Sequence, residues 1–398
     1  MHGDMSGSGS PGVGREVAAT AYPREKDGQS RSKTIFYVQP LIARYRVEVI
    51  ETLNRLFVLK VFASAGNLSA RGFSHESPVC EEFIDTKITA ALPTRIKIQS
   101  MVLKRMIKER PAAVFIFANV TYGSLWLTLL AGRVLSIPTV IHGQGLYRYD
   151  CPGLLRKVCY RAAITLSTRY VCYSDASQQS LRRIGCRDDK LVIARNSLFL
   201  AQTVRPNRKS GRETGVLFIG RLRPGCDIEK LIRAVGAARA LGHGITLHVI
   251  GDGEYGELMR QTYADCTYVE WHGAVFDETV IATLSERCRI GCYPGAAGLS
   301  VVHMFGLSLP PLVHDSLAMH MGPEPEYVED GRTGFLYAYG GGEHALTNAL
   351  VRIWSLPPAK LQRIARTAFA TYRQLNSPTL GNRLATIVRE AILPGGHI

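Results

Sequence analysis

"RIGCYPGAAGLSVVHMFGLSLPPLVH", Arg289 to His314, reads as one complete folding unit. An apolar run ends at Gly295, four small residues (Gly295, Ala296, Ala297, Gly298) make a turn, and an apolar helical segment carrying His303 follows. Two prolines then close the helix, and "PLVH" begins a second strand. Strand, turn, helix and strand in that order specify a parallel βαβ unit, because a crossover helix returns the chain to the same edge of the sheet. Small residues where a strand's carboxyl end meets a helix start let backbone N–H groups approach an anion or a sugar closely.

The same alternation extends outward in both directions. Downstream of Gly215 the strands are "GVLFIG", "ITLHVIG", "TYVEWHG", "RIGCYPG" and "PLVH". Several run straight into glycine, at Gly220, Gly251 with Gly253, Gly273 and Gly295 with Gly298. Upstream, "TIFYVQ", "VLKVFA", "AAVFIFA", "PTVIH", "RYVCY" and "LVIA" repeat the pattern with helical stretches between them. The polar segment 201–214 interrupts the alternation and reads as a linker. The expected organisation is therefore a disordered tail over 1–33, an α/β domain over 34–200, the linker, a second α/β domain over 215–380, and a C-terminal helix and tail over 381–398. Each doubly wound sheet should hold its ligand crevice at the carboxyl ends of its strands.

Composition agrees with a globular chain: 398 residues, 46% hydrophobic and 20% charged, suit two domains and exclude general disorder. The first 33 residues, rich in Gly, Ser and charge, lack the apolar stretch of a secretory signal. Tyr122 to His142 and Gly298 to Val313 are the longest apolar stretches, and charges or prolines interrupt both, so no spanning helix is expected. Nine scattered cysteines without a C-x-x-C pair point to a reducing cytoplasm. The net charge of +15 is uneven: residues 1–200 hold 28 Lys+Arg against 15 Asp+Glu, and residues 201–398 hold 20 against 18. A basic first half suits anionic lipid or a phosphorylated substrate; no nucleic-acid motif accompanies it, and nucleic acid is not an expected partner.

Taken together, "FIGRLRPGCDIEKLIRA", "LHVIGDGE", "VEWHGAV", "CYPGAAGLSVVHMFGLSLPPLVHD" and "GPEPEYVEDGRTGFL" resemble the donor-binding domain of the retaining family 4 glycosyltransferases, which have the GT-B fold. The likeness is greatest to the bacterial branch that builds exopolysaccharide and O-antigen. "QPLIARYRVEVIETLNRLF", "VIHGQGLYR" and "YSDASQQSLRRIGCRDDKLVIARNSL" resemble that branch's acceptor domain. The resemblance implies two Rossmann-like domains facing a central cleft and transfer of a hexose from a nucleoside-diphosphate sugar to a lipid-linked or polysaccharide acceptor, with retention. It implies that Arg221, after Gly220, grips the diphosphate, a task that suits a planar guanidinium. Gly253 and Glu254 then lie beside the nucleotide, His272 and Gly273 near the base, Gly298 and Leu299 at the sugar and phosphate, and Glu324 at a corner of the same pocket. In the first domain His142 faces the cleft, within reach of the transferring sugar.

Three positions depart from the family. Its paired glutamates correspond to Gly295 and His303, its lysine falls near Cys226 and Asp227, and its glycine-rich first loop is replaced by "PLIARYR". His303 can still hydrogen-bond a hydroxyl, its alternative being a satisfied core histidine, and Arg223 can supply charge or be a solvated loop arginine. His142, Arg221 and His303 are thus the expected catalytic set. No D-x-D motif appears, and neither a metal nor a cofactor is expected. Fixed donors would stabilise the departing diphosphate, each worth about 2.7–4 kcal/mol by analogy with oxyanion holes. Two basic, apolar segments, Thr94 to Arg110 and Leu154 to Ala163, read either as helices suited to an anionic membrane surface or as ordinary amphipathic helices packed on their own sheet with a solvated basic face. The expectation is a peripheral enzyme on the inner face of the membrane. Its competitors are a non-catalytic GT-B protein that binds nucleotide sugar or glycan in polysaccharide assembly, and a sugar-nucleotide epimerase.

Overall fold

The computed structural model describes residues 33–64, 79–91, 96–149 and 151–393. The expected tail, apart from Lys33, and the last five residues lie outside the described residues.

The first lobe is built on a seven-stranded parallel sheet with the order β3-β2-β1-β6-β7-β8-β9. Its strands are β1 (Thr34–Val38), β2 (Val58–Ala63), β3 (Glu82–Asp85), β6 (Ala113–Phe117), β7 (Thr139–Gly143), β8 (Arg169–Cys172) and β9 (Leu191–Ile193), while β4 (Ile88–Ala91) and β5 (Ile96–Gln99) form a separate antiparallel ribbon. Helices α1 (Val47–Leu56), α2 (Val102–Glu109), α3 (Gly123–Leu135), α4 (Leu154–Leu166) and α5 (Asp175–Arg182) cover it.

The second sheet is also parallel, in the order β12-β11-β10-β13-β14-β15. It comprises β10 (Gly215–Ile219), β11 (Thr246–Ile250), β12 (Val269–Gly273), β13 (Cys288–Cys292), β14 (Pro311–His314) and β15 (Phe335–Tyr337). Its helices are α6 (Ile228–Ala240), α7 (Gly256–Thr262), α8 (Glu278–Glu286), α9 (Ser300–Gly306), α10 (Gly342–Trp354) and α11 (Pro358–Leu375). Strand order reverses beside β1 in one sheet and beside β10 in the other, and a crevice opens outside the carboxyl ends of the strands at such a point.

Near-continuous Val, Ile, Leu and Phe make the central strands buried on both faces, as β10 is along its whole length. The last helix, α12 (Leu380–Ile392), does not stay with the second lobe. Leu380, Leu384, Ile387 and Val388 join Val49, Ile50 and Leu53 of α1 in the core of the first lobe.

One sequence expectation changes. The segment Thr94–Arg110 is not one helix: from Ile96 to Gln99 it is strand β5, Met101 takes a left-handed φ of 70°, and α2 begins only at Val102. Buried Gln99 holds the strand extended, its amide donating to Gln39 O at 2.9 Å and Thr86 Oγ1 at 2.8 Å. The polar segment 201–214 is packed on the second lobe, with Val204 in its core and buried Lys209 donating to the Ser285 and Cys288 carbonyls.

Candidate functional site

Loops from the second sheet's carboxyl rim lock together through their backbones. Leu222 N–H donates to Asp252 O at 3.0 Å, Gly251 N–H to Gly273 O at 2.7 Å, and Ala296 N–H to Gly225 O at 2.8 Å. A methyl group at Gly251 would overlap the Gly220 carbonyl, one at Gly253 the Leu222 carbonyl, and one at Gly295 the Gly225 carbonyl. These glycines are needed because neighbouring loops touch, a reason separate from any ligand. A glutamate at 295, which the resemblance would place there, would not fit without moving the 225 loop.

Gly298 differs. Its missing Cβ would lie 3.6 Å from Glu324 Oε2 and 3.7 Å from Gly322 N, so the position is lined but not filled. The amides of Gly298, Leu299 and Ser300 have no backbone partner among the described residues. The turn before them is fixed by His320, whose Nδ1 accepts from Ala297 N–H at 3.2 Å while its Nε2 donates to His314 O at 3.0 Å. Met321 and Gly322 N–H groups close the arrangement by donating to Ala297 O. Burial pushes the His320 pKa down to about 4, so the ring is neutral at pH 7 and can accept that bond.

A chain of polar contacts crosses from this turn into the first lobe. Glu324 is 1% exposed; its Oε1 accepts from the Asn196 amide, and its Oε2 has no hydrogen-bond partner. Asn196 Oδ1 accepts from Arg46 Nη2 at 2.6 Å, and the Arg46 guanidinium lies 6.0 Å from the centre of the Tyr173 ring. Tyr173 Oη is 3.2 Å from His142 Nδ1, and the Gln39 amide nitrogen is 2.5 Å from His142 Nε2. Burial, and after it the nearby Arg46 charge, pull the His142 pKa down to about 3. Burial raises that of Glu324, opposed by the Asn196 hydrogen bond, by its own backbone N–H and by the Arg46 charge.

Elsewhere the lobes are joined at the helix α5 start, where the Glu326 carboxylate accepts from Asp175 and Ala176 N–H at 3.0 Å each. Tyr147 Oη donates to His320 O at 3.2 Å, and Tyr327 Oη to Tyr173 O at 3.3 Å.

Of the expected residues, the structure thus brings His142, Gly298 and Glu324 into one connected set, with Leu299 beside Gly298. Gly220, Arg221, Arg223 and Gly295 lie on the same rim: Arg223 Nη2 donates to Ala296 O at 3.3 Å, and both arginines act electrostatically on Tyr293. His303 sits half-buried on α9, its pKa lowered to about 4 by burial, and takes no part in the cross-lobe chain. Glu254 is exposed in the loop after β11, and Gly273 ends β12 at a left-handed φ of 68°. The His272 ring turns toward His248. Both nitrogens of His142 already have protein partners, so a sugar hydroxyl reaches that ring only when Gln39 or Tyr173 yields.

Sequence reasoning missed Gln39, Arg46, Tyr173, Asn196 and His320. Arg46 left a trace, standing in the loop where the family has glycines. Near the departed lysine position, Lys230 Nζ on α6 pairs with Asp227 at 2.6 Å.

Comparison with known proteins follows the same lines. Residues 213–355, most of the second lobe, match the family described as glycosyl transferases group 1. The whole described fold is similar to HepE of Anabaena, crystallised with UDP-glucose, at 16% identity and a TM-score of 0.62 over 90% of this chain and 100% of that one. A glycosyltransferase from Rickettsia africae gives 15% identity and 0.66 over 90% and 98%. WaaG, a glycosyltransferase involved in lipopolysaccharide biosynthesis, gives 14% and 0.58 over 89% and 99%. No curated protein matches the chain by sequence. The fold is GT-B, two Rossmann-like domains, and residues 213–355 of the second are similar to the glycosyl transferases group 1 family.

Proposed function

We propose that this protein transfers a hexose from a nucleoside-diphosphate sugar to a hydroxyl of a lipid-linked or polysaccharide acceptor, with retention. One observation carries the reading: a buried carboxylate oxygen of Glu324, without a partner, borders the open position at Gly298, where the donor sugar of a GT-B enzyme would lie. A buried acceptor with no donor is costly unless a ligand hydroxyl supplies one. Glu324 would take the sugar-hydroxyl contact that the family assigns to its missing glutamates, and the Arg46–Asn196 pair holds it in place. Arg221 and the amides of Gly298 to Ser300 would stabilise the departing diphosphate. The neutral His142 orients Gln39 and Tyr173 at the acceptor side and is not a proton donor at pH 7. No cofactor or metal is assigned to this step. HepE's complex with UDP-glucose supports a nucleotide-sugar donor by analogy of fold.

The acceptor would be reached at a membrane surface. Leu154 and Leu155 on α4 are each 77% exposed and Val134 on α3 is 82% exposed. Arg156 and Lys157 follow on α4, Lys104 and Lys108 stand exposed on α2, and α2, α3 and α4 are neighbours. Apolar side chains among cations suit an anionic lipid face, which would place the enzyme peripherally on the inner leaflet. No helix among the described residues is long and apolar enough to cross a membrane.

The loss of the family's glutamates at Gly295 and His303 favours a second reading, a binding protein without transfer. A thermal-shift series with UDP, GDP and their sugars, followed by transfer assays on a lipid-linked acceptor extract, tests both. The expected result is a raised Tm with one nucleotide sugar, loss of that shift in Arg221→Ala, and labelled product from the wild type. A shift without product supports the second reading, and no shift with any nucleotide defeats both.

A further inference from the structure

Parallel pairing of β11 with β12 sets His248 opposite Glu270, and strand alternation puts His272 on the same face two residues further on. His248 Nδ1 lies 3.2 Å from His272 Nε2 and 3.2 Å from Glu270 Oε2, and that oxygen is 3.9 Å from His272 Nε2. A point equidistant from three atoms so placed is about 2.0 Å from each, the length of a Zn–N or Zn–O bond. An ion at that bond length would sit close to the donor plane, with further coordination positions left for water.

Protons alone satisfy this cluster poorly. The two rings meet nitrogen to nitrogen, with centroids 5.5 Å apart and planes 19° from parallel. His248 Nδ1 carries one proton at most, and both His272 Nε2 and Glu270 Oε2 lie 3.2 Å from it. His248 is 3% exposed, whereas the Glu270 side chain is 48% exposed, so the cluster has a buried floor and an open mouth. Leu217, fully buried, lies opposite His248 on β10, and Gly215 leaves room beside the ring, since a Cβ there would stand 3.0 Å from His248 Cδ2. Two imidazoles and one carboxylate are a donor set that suits zinc among the available divalent transition metals.

We propose that His248, Glu270 and His272 bind a divalent transition metal, Zn(II) by donor preference, with water completing its shell. Metal entry requires both facing ring nitrogens to be unprotonated, a proton held there passing to water, and each lone pair to turn toward the ion. The ion would fasten β12, the edge strand, to β11, and so position the Gly273 turn whose carbonyl receives Gly251 N–H. This role is structural: the ion would steady a turn on the rim of the candidate donor site, and its binding is measured whether or not glycosyl transfer occurs.

The test uses the full chain, with any purification tag removed and metal stripped by a chelator, titrated with Co(II) and then Zn(II). One equivalent of cobalt with visible d–d absorption, displaced by zinc, and a raised Tm are expected. Glu270→Gln and His272→Gln, both at partly exposed positions, should each weaken binding at least about tenfold, with an unchanged metal-free Tm. Failure of both ions to bind at micromolar concentrations overturns the proposal. So does equal affinity in both variants, or a thiolate-to-cobalt charge-transfer band that places the ion on the cysteines.

Discussion

Replacing Glu324 by glutamine keeps its shape and its Asn196 contact but removes the charge that a sugar hydroxyl would meet. A hydrogen bond to a charged group contributes about 1.5–3 kcal/mol, so Glu324→Gln should lower kcat/KM for transfer by about 10- to 100-fold with the Tm little changed. Steady-state kinetics at fixed acceptor would read this, and an unchanged kcat/KM would remove Glu324 from the donor pocket. Two glycines on the same rim should answer valine in opposite ways. Gly298→Val has space and should lose nucleotide-sugar binding while the protein stays folded. Gly251→Val has none, because the Gly220 carbonyl occupies its side-chain position, and should cost more than about 2 kcal/mol in urea denaturation. Both glycines were visible in the sequence as strand-ending residues, but the distinction between them was not. It depends on which neighbouring loop lies against each, a contact between segments about 30 residues apart. Asn196 and Gln39 were hidden for the same reason: a lone amide in a chain has no pattern until the fold gives it a partner.

Most strands were legible where apolar residues run unbroken, as in β1, β6 and β10, and the elements missed were short or half-exposed. The edge strand β3, "EFID", mixes charge with apolar residues, and β15 is three residues long. The basic segment before Arg110 misled because its apolar spacing serves a strand first and a helix afterwards. Part of its charge is also neutralised: Arg105 pairs with Glu82 and Glu109, and Lys60 contacts the same two carboxylates. Helix α4 offers the cleaner test of membrane contact, since within it only Ala163 and Ile164 are buried. The double variant Leu154→Asp/Leu155→Asp should sediment several-fold less with anionic vesicles than the wild type and melt at the same temperature. Undiminished sedimentation would move the membrane face elsewhere.

Buried histidines make stability of the whole molecule depend on acid. His142, His314 and His320 are nearly inaccessible, and burial pulls their pKa values down to about 3, 4 and 4. An unfolded imidazole titrates near about 6.5. Between those values the unfolded chain binds more protons than the folded one, so stability is full above about pH 6.5 and falls as the pH drops toward 4. Each histidine contributes up to about 1.4 kcal/mol per pH unit in that window. The urea midpoint should therefore fall steeply from pH 6.5 to 4.5, and a flat profile would contradict the burial of these rings. Helix α12 bears on the molecule differently. The polypeptide passes between lobes twice, once near residue 200 and again before Leu380, and two tethers permit a hinge while forbidding a swivel. A fragment ended at residue 200 would keep its whole sheet yet expose the apolar seat of a missing helix, and would precipitate. The severed helix added in trans as a peptide should restore it to solution.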